Sequence, residues 1–265
     1  MKAARILRQK INSDTVTTGV IVSYHLWPAL VEISINSGLD YLIIDCEHGS
    51  FSPELICDVC AIGRLMDFAV LIRPIDHAMS TIRKAIDMGP CGMLLPTVES
   101  AEALDQVRDA VYMPPRGRRR PGGRGLRWVL DYTYSTWKTE IEDDLIVLPQ
   151  IETRKGLQNL ETIAAHEITT AMAIGPYDLS AELGVCGDTA GPKVSEAAQQ
   201  IQRAAKAAGK GMWILGDGPE LIKQGFSFLC IAEPSGVLEA TLREQVSRLQ
   251  DKGNPSKPAE SPYQA

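Results

Sequence analysis

The sequence predicts an α/β protein folded as a (β/α)8 TIM barrel, and three observations carry that reading. Eight short apolar runs with strand character recur along the 265 residues, helix-like segments separate them, and the length suits one closed barrel. Regular alternation of strand and helix implies a parallel sheet. Eight such units in one chain favour a closed barrel over an open doubly wound sheet.

The runs, in order, are Gly19 to Ser23, Tyr41 to Asp45, Ala69 to Arg73, Met93 to Pro96, Leu145 to Ile151, Ala171 to Gly175, Met212 to Leu215 and Phe228 to Ala232. Leu42, Ile43 and Ile44 typify them: a continuous apolar stretch of high strand propensity. Between the runs, STIRKAIDMG, SAEALDQVRDAV, TRKGLQNLETIAAH and SEAAQQIQRAAKAAGK carry apolar residues at helical spacing, often with glycine at the exit. Two segments break the rhythm. Tyr112 to Glu142 is a long insertion containing PPRGRRRPGGRGLRW, and the tail GNPSKPAESPYQA lacks periodicity. One barrel domain over residues 1–252 and a disordered tail over 253–265 are the expectation.

The net charge of −6 gives no reason to expect nucleic acid or an anionic membrane as partner. No run of about 18 apolar residues occurs and MKAARILRQKINSD has no apolar h-region, so the expected location is cytoplasmic. The six cysteines read as thiols. Cys57 and Cys60 have CxxC spacing, but inside a helix pattern and without a second ligand pair.

In such barrels the active site lies at the carboxyl ends of the strands, so polar residues there are the candidates. The second run, YLIIDCEHGSF, ends in Asp45, Glu47 and His48; the third ends in Arg73, the fourth in Pro96 and Thr97, the fifth in Gln150, Glu152 and Thr153, and the sixth in Gly175, Pro176 and Asp178. Glu152 and Asp178 follow neighbouring strands, and two carboxylates completed by water and substrate oxygens suit a hard divalent cation such as Mg2+ or Mn2+. The alternatives are a helix-start carboxylate beside Arg154 for Glu152 and an N-cap for Asp178. Arg73 is placed to hold a carboxylate or a developing oxyanion, or else to pair with Asp45. His48 is the natural proton carrier, with Asp45 or another carboxylate to orient its ring. No lysine falls in any run, which excludes a Schiff-base lysine on an inner strand and leaves an enolate to be stabilised by metal. Trp27 and Trp213 are aromatic candidates near the mouth, with ordinary packing as the other reading.

DCEHGSF, LIRP, IRKAIDMGPCGMLLPTVESAEA, PPRGRR, LPQIETRKGLQNL and IGPYDLSAELG, in this order, resemble the HpcH/HpaI aldolase family over about Gly19 to Gly211. The resemblance implies a (β/α)8 barrel, a divalent cation (Mg2+, Mn2+ or Co2+) and reversible cleavage of 4-hydroxy-2-keto acids to pyruvate and an aldehyde. By position, Glu152 and Asp178 would be the metal ligands, Arg73 would hold the keto oxygen and enolate, His48 would be the general base acting through a water, and Asp45 would support the site. Gln150 and the backbone near Gly175 and Pro176 would contact substrate. An aspartate matching Asp87 would come from a neighbouring subunit to pair with the histidine, implying a hexamer of dimers with exchanged C-terminal helices. Cys46 and the RGRRRPGG stretch depart from the family pattern. The arginine-rich stretch reads as a solvated loop or subunit contact, or as an attractor of an acidic aldehyde. Two other functions compete: an acyl-CoA lyase related to citrate lyase, and a non-catalytic barrel that binds a metabolite.

Overall fold

The computed structural model describes residues 1–13, 15–120 and 133–250. Its eight strands are β1 (Thr17–Val22), β2 (Tyr41–Asp45), β3 (Ala69–Arg73), β4 (Gly92–Leu95), β5 (Ile146–Ile151), β6 (Ala171–Ile174), β7 (Gly211–Leu215) and β8 (Phe228–Ala232). They pair in parallel in sequence order and β1 closes on β8, giving the barrel that the alternation predicts. Both faces of most strands are covered, which is why they read as unbroken apolar runs rather than as alternating ones. Tyr41, Leu42, Ile43 and Ile44 are all fully buried, and each such large apolar side chain contributes about 1.5–3 kcal/mol by leaving water.

Inside the barrel, the Tyr41 hydroxyl donates to the Leu229 carbonyl at 2.8 Å and accepts from Trp213 Nε1 at 2.8 Å. Trp213 is thus a packed interior residue, 2% exposed, and does not line the mouth, whereas Trp27 is 39% exposed after β1. Gly19 makes room for this aromatic ring: a Cβ there would lie 2.4 Å from Tyr41 Cζ, so any larger residue would displace the ring.

The helix at Lys2–Asn12 is absent from the sequence expectations, although Ala3, Ala4, Leu7 and Ile11 mark one apolar face at helical spacing. It covers the end of the barrel where strands begin: Arg8 donates to the Leu145 carbonyl, just before β5, and to the Thr170 hydroxyl, just before β6. TRKGLQNLETIAAH forms two short helices, Arg154–Gln158 and Leu160–Ala165, rather than one. The break falls at Asn159, whose side-chain amide donates to the carbonyls of Glu99 and Lys155, a local bond of the kind that competes with helix continuation. The expectation for the tail at 253–265 lies outside the described residues.

Candidate active site

Strand register builds the first half of the mouth. Asp45 and Arg73 are Cα partners in the β2–β3 ladder, so their side chains emerge together. Arg73 Nε donates to Asp45 Oδ1 at 2.8 Å and Nη2 donates to Oδ2 at 2.7 Å, a two-pronged fork. Ser23 Oγ donates to Oδ2 at 2.6 Å, and the backbone N–H groups of Glu47 and His48 donate to Oδ1 at 3.1 and 3.3 Å. Burial pushes the Asp45 carboxyl up, but the Arg73 fork and charge, with Ser23 and the His48 N–H, outweigh it and hold Asp45 below its usual range. Of the roles left open for Asp45, the structure gives it the guanidinium and not the His48 ring. Strand β2 ends in charge because that charge is answered across the ladder.

His48 stands in the mouth with 60% of its side chain exposed, its Nε2 lying 4.0 Å from Glu47 Oε2. Glu47 Oε2 is also 3.3 Å from Arg73 Nε. Burial raises the Glu47 carboxyl first; Arg73 and His48 lower it, Asp45 and Asp178 raise it, and the net direction is up. Sequence reasoning named Glu47 as a strand-end charge but gave it no role. Its place between Arg73 and His48 depends on side-chain direction, which the pattern alone does not carry.

The second half comes from β5 and β6. Ile151 pairs with Ile174, so the next residues, Glu152 and Gly175, face one another. A Cβ on Gly175 would lie 2.1 Å from Glu152 Oε2 and 2.5 Å from Gln150 Nε2, so only glycine fits. Glu152, 4% exposed, accepts from Gln150 Nε2 at 2.7 Å through Oε2, and from the Thr97 N–H at 2.6 Å and hydroxyl at 2.8 Å through Oε1. Arg154 turns away, its Nε donating to the Glu182 carbonyl at 2.6 Å, which removes the helix-start pairing as an account of Glu152. Burial is the largest influence on Glu152 and raises its carboxyl; the Thr97 bonds lower it, Asp178 and Glu47 raise it, and it stays above its usual range. Asp178 lies in the first turn of the helix Pro176–Glu182, with Gly175 rather than Asp178 as N-cap.

Asp87 closes the helix Met79–Asp87 and so lies at the opposite end of the barrel from the mouth of its own chain, where it accepts from Arg119 Nη2 at 2.8 Å. Arg119 is 1% exposed and stacks 4.6 Å over the Trp137 ring. Arg116 stacks 3.9 Å over Tyr112 and pairs with Glu142 at 3.2 Å, and Arg118 pairs with Asp109 at 3.0 Å. The solvated-loop expectation is corrected for Arg119, which is buried, stacked on a ring and paired with a carboxylate as desolvation demands; Arg116 is half-buried, and Arg118 and Arg120 are exposed as that expectation has them. The remainder of that stretch, 121–132, lies outside the described residues.

Among the described residues no group of three or more His, Cys, Asp or Glu side chains is placed to hold a metal ion. Two carboxylates with open positions are another matter, and the site passes a test for a hard cation on its own features. Among the described residues Glu152 is buried with only neutral hydrogen-bond donors, and Gln150 Oε1 is buried with no protein donor, an oxygen left for a donor or cation to satisfy. Glu152 and Asp178 fit such an ion.

A closed parallel barrel with carboxylates, an arginine and a histidine gathered where its strands end defines a (β/α)8 enzyme site. The model of the HpcH/HpaI aldolase/citrate lyase family matches residues 25–222, and the chain belongs to this family. The chain is 32% identical to a hydroxypyruvate/pyruvate aldolase of Chromohalobacter salexigens, over 82% of this chain and 87% of that one. It is 30% identical to a 2-keto-3-deoxy-L-rhamnonate aldolase of Shigella boydii, over 85% and 86%. The crystal structure of an HpcH/HpaI aldolase from Desulfitobacterium hafniense superposes with a TM-score of 0.86 at 26% identity, covering 94% of this chain and 99% of that one.

Proposed function

We propose that this chain is a divalent-cation-dependent carbon–carbon lyase that reversibly cleaves a 4-hydroxy-2-keto acid to pyruvate and an aldehyde. The observation that carries it is the buried Glu152 carboxylate, held by neutral donors, kept above its usual range and set beside Asp178. The aldolase names of relatives at 30% identity or more support the same reading. Glu152 and Asp178 would hold the cation, Mg2+, Mn2+ or Co2+, which when bound polarises the keto group and offsets the negative charge of the enolate. His48, exposed in the mouth, takes the proton from the C4 hydroxyl as the C3–C4 bond breaks. The electron pair of that bond passes into the pyruvate enolate, which is then protonated at C3. Arg73, clamped by Asp45, keeps a fixed positive charge where the oxyanion develops. Gln150 has its amide nitrogen committed to Glu152, so its oxygen faces substrate as an acceptor. Gly175 and Pro176 offer backbone beside it.

Residues 1–252 act as one unit in this proposal, in a cytoplasmic hexamer. The helix Pro234–Gln250 buries only Gly236, while Val237, Leu238, Leu242, Val246 and Leu249 are exposed, an apolar face that exchange with a second subunit would cover. Asp87, far from its own His48, would reach a neighbour's histidine in that assembly.

Pyruvate release from a panel of 4-hydroxy-2-keto acids and 2-keto-3-deoxy acids, with and without EDTA, tests the function, with Glu152→Ala alongside. Release that is lost with EDTA, restored by one of the three cations and absent in the variant is the expected result. Cleavage of acyl-CoA thioesters without pyruvate release would favour the citrate lyase branch of the family, and metabolite binding with no turnover would favour a sensor.

A further inference from the structure

We propose that Thr97 is a positioning residue for the cation: its unusual backbone conformation aims both of its donors at Glu152 Oε1 and fixes that carboxylate for binding. This rests on the reading of Glu152 as a cation ligand. Thr97 stands two residues beyond the end of β4, between segments that continue the β4–β5 pairing: Leu95 pairs with Pro149, and the Val98 N–H donates to the Gln150 carbonyl at 3.1 Å. Its φ is +51°, in the left-handed region. The other described non-glycine residue with positive φ is Asp67, of a type that tolerates this region, whereas for a β-branched residue the conformation is a genuine outlier. Such outliers persist where surrounding structure overdetermines them, and they cluster at functional sites.

What the conformation achieves is visible in its bonds. With the chain turned left-handed, the Thr97 N–H leaves the ladder and donates to Glu152 Oε1 at 2.6 Å, and the hydroxyl donates to the same oxygen at 2.8 Å. Gln150 Nε2 takes Oε2, and the missing Cβ of Gly175 gives that oxygen its space. The carboxylate is therefore held from the ends of three strands, β4, β5 and β6. All its donors are neutral. A lysine or arginine in place of Thr97 would have oriented Glu152 equally well but cancelled its charge; an amide and a hydroxyl orient it and leave the charge for a divalent ion. Orienting partners of this kind typically account for about 10–100-fold in metal affinity.

Mn2+ titration by calorimetry on the full-length protein separates the possibilities, using wild type, Thr97→Ser, Thr97→Ala, Thr97→Gly and Glu152→Gln, each also unfolded in urea without Mn2+. Thr97→Ser keeps both donors and should bind Mn2+ like wild type. Thr97→Ala and Thr97→Gly lose the hydroxyl and should bind about 10–100-fold more weakly; the glycine adopts the left-handed conformation freely, so it remains informative if the alanine variant folds poorly. Mn2+ affinity unchanged in Thr97→Ala and Thr97→Gly, whatever happens to the urea midpoint, would make Thr97 a purely structural residue and overturn the inference. Glu152→Gln binding Mn2+ as tightly as wild type would overturn instead the cation role of Glu152, and this inference with it.

Discussion

Asp45 and Glu152 sit on two sides of one mouth, 0% and 4% exposed, yet their surroundings drive them in opposite directions. Burial raises both; it prevails at Glu152, where the donors are an amide, a hydroxyl and a carboxamide and where Asp178 and Glu47 add like charge. It is overcome at Asp45, where the Arg73 fork supplies a full opposite charge. At the β2–β3 corner Asp45 is answered directly by Arg73, whereas at the β5–β6 corner Glu152 is bonded by neutral donors and feels the Arg73 charge only from a distance. In the proposed reading, similar burial with unequal compensation is what would separate a scaffold carboxylate from a ligand carboxylate. The far end of the barrel makes the same point, since Asp87 and Arg119 answer each other there.

The strongest way to break this contrast is to remove the compensation at Asp45. Arg73→Met should strand a buried carboxylate and destabilise the protein by about 3–5 kcal/mol in urea unfolding, with Asp45→Asn in the same chain recovering part of the loss. Equal stability of Arg73→Met and wild type would show that Asp45 is not held by Arg73 charge. At the other corner the expected effect falls on chemistry. Glu152→Gln keeps the shape and removes the charge, so turnover of a cleaved keto acid should fall by roughly 10²–10³-fold while the urea midpoint stays level or rises, as repulsion from Asp178 and Glu47 is relieved. A large loss of stability in that variant would mean that Glu152 is a structural carboxylate after all.

A smaller effect sharpens the comparison through pH. The folded-state pKa of Asp45 is depressed, so its contribution is present above the unfolded value of about 3.9 and is lost as pH falls through the lower folded value. Ser23→Ala deletes one bond to the ionised form and should cost about 1.5 kcal/mol at pH 7. That cost should shrink only as pH falls through the depressed folded-state value, where Asp45 takes up its proton in the native protein. A cost that stays constant through the pH at which folded Asp45 is seen to protonate, by the NMR shift of its carboxyl carbon, would assign the effect to packing of Ser23 instead.

Much of this site was legible in the chain because a barrel turns position into function. Once YLIID, AVLIR, LPQI and AMAI are recognised as strands, their exits name Asp45, Arg73, Gln150, Glu152 and Gly175 as neighbours. Thr97 and Glu47 were visible at strand ends but their tasks were not. No local pattern tells that a threonine will turn left-handed, or that a glutamate will lie between an arginine and a histidine. Arg119 misled the reading for a related reason: a run of arginines looks solvated until Trp137 and Asp87, distant in sequence, are brought against it.

By itself the sequence determined the eight strands, their order and the polar character of their ends, because propensity and periodicity are local properties written residue by residue. Only the tertiary structure decided which charges would be answered. The β2–β3 register sets Asp45 against Arg73, and the β5–β6 register sets Glu152 against a glycine that adds no charge of its own. The energy of a buried charge depends on what lies within a few ångströms across the ladder, and that distance exists only after the barrel has closed.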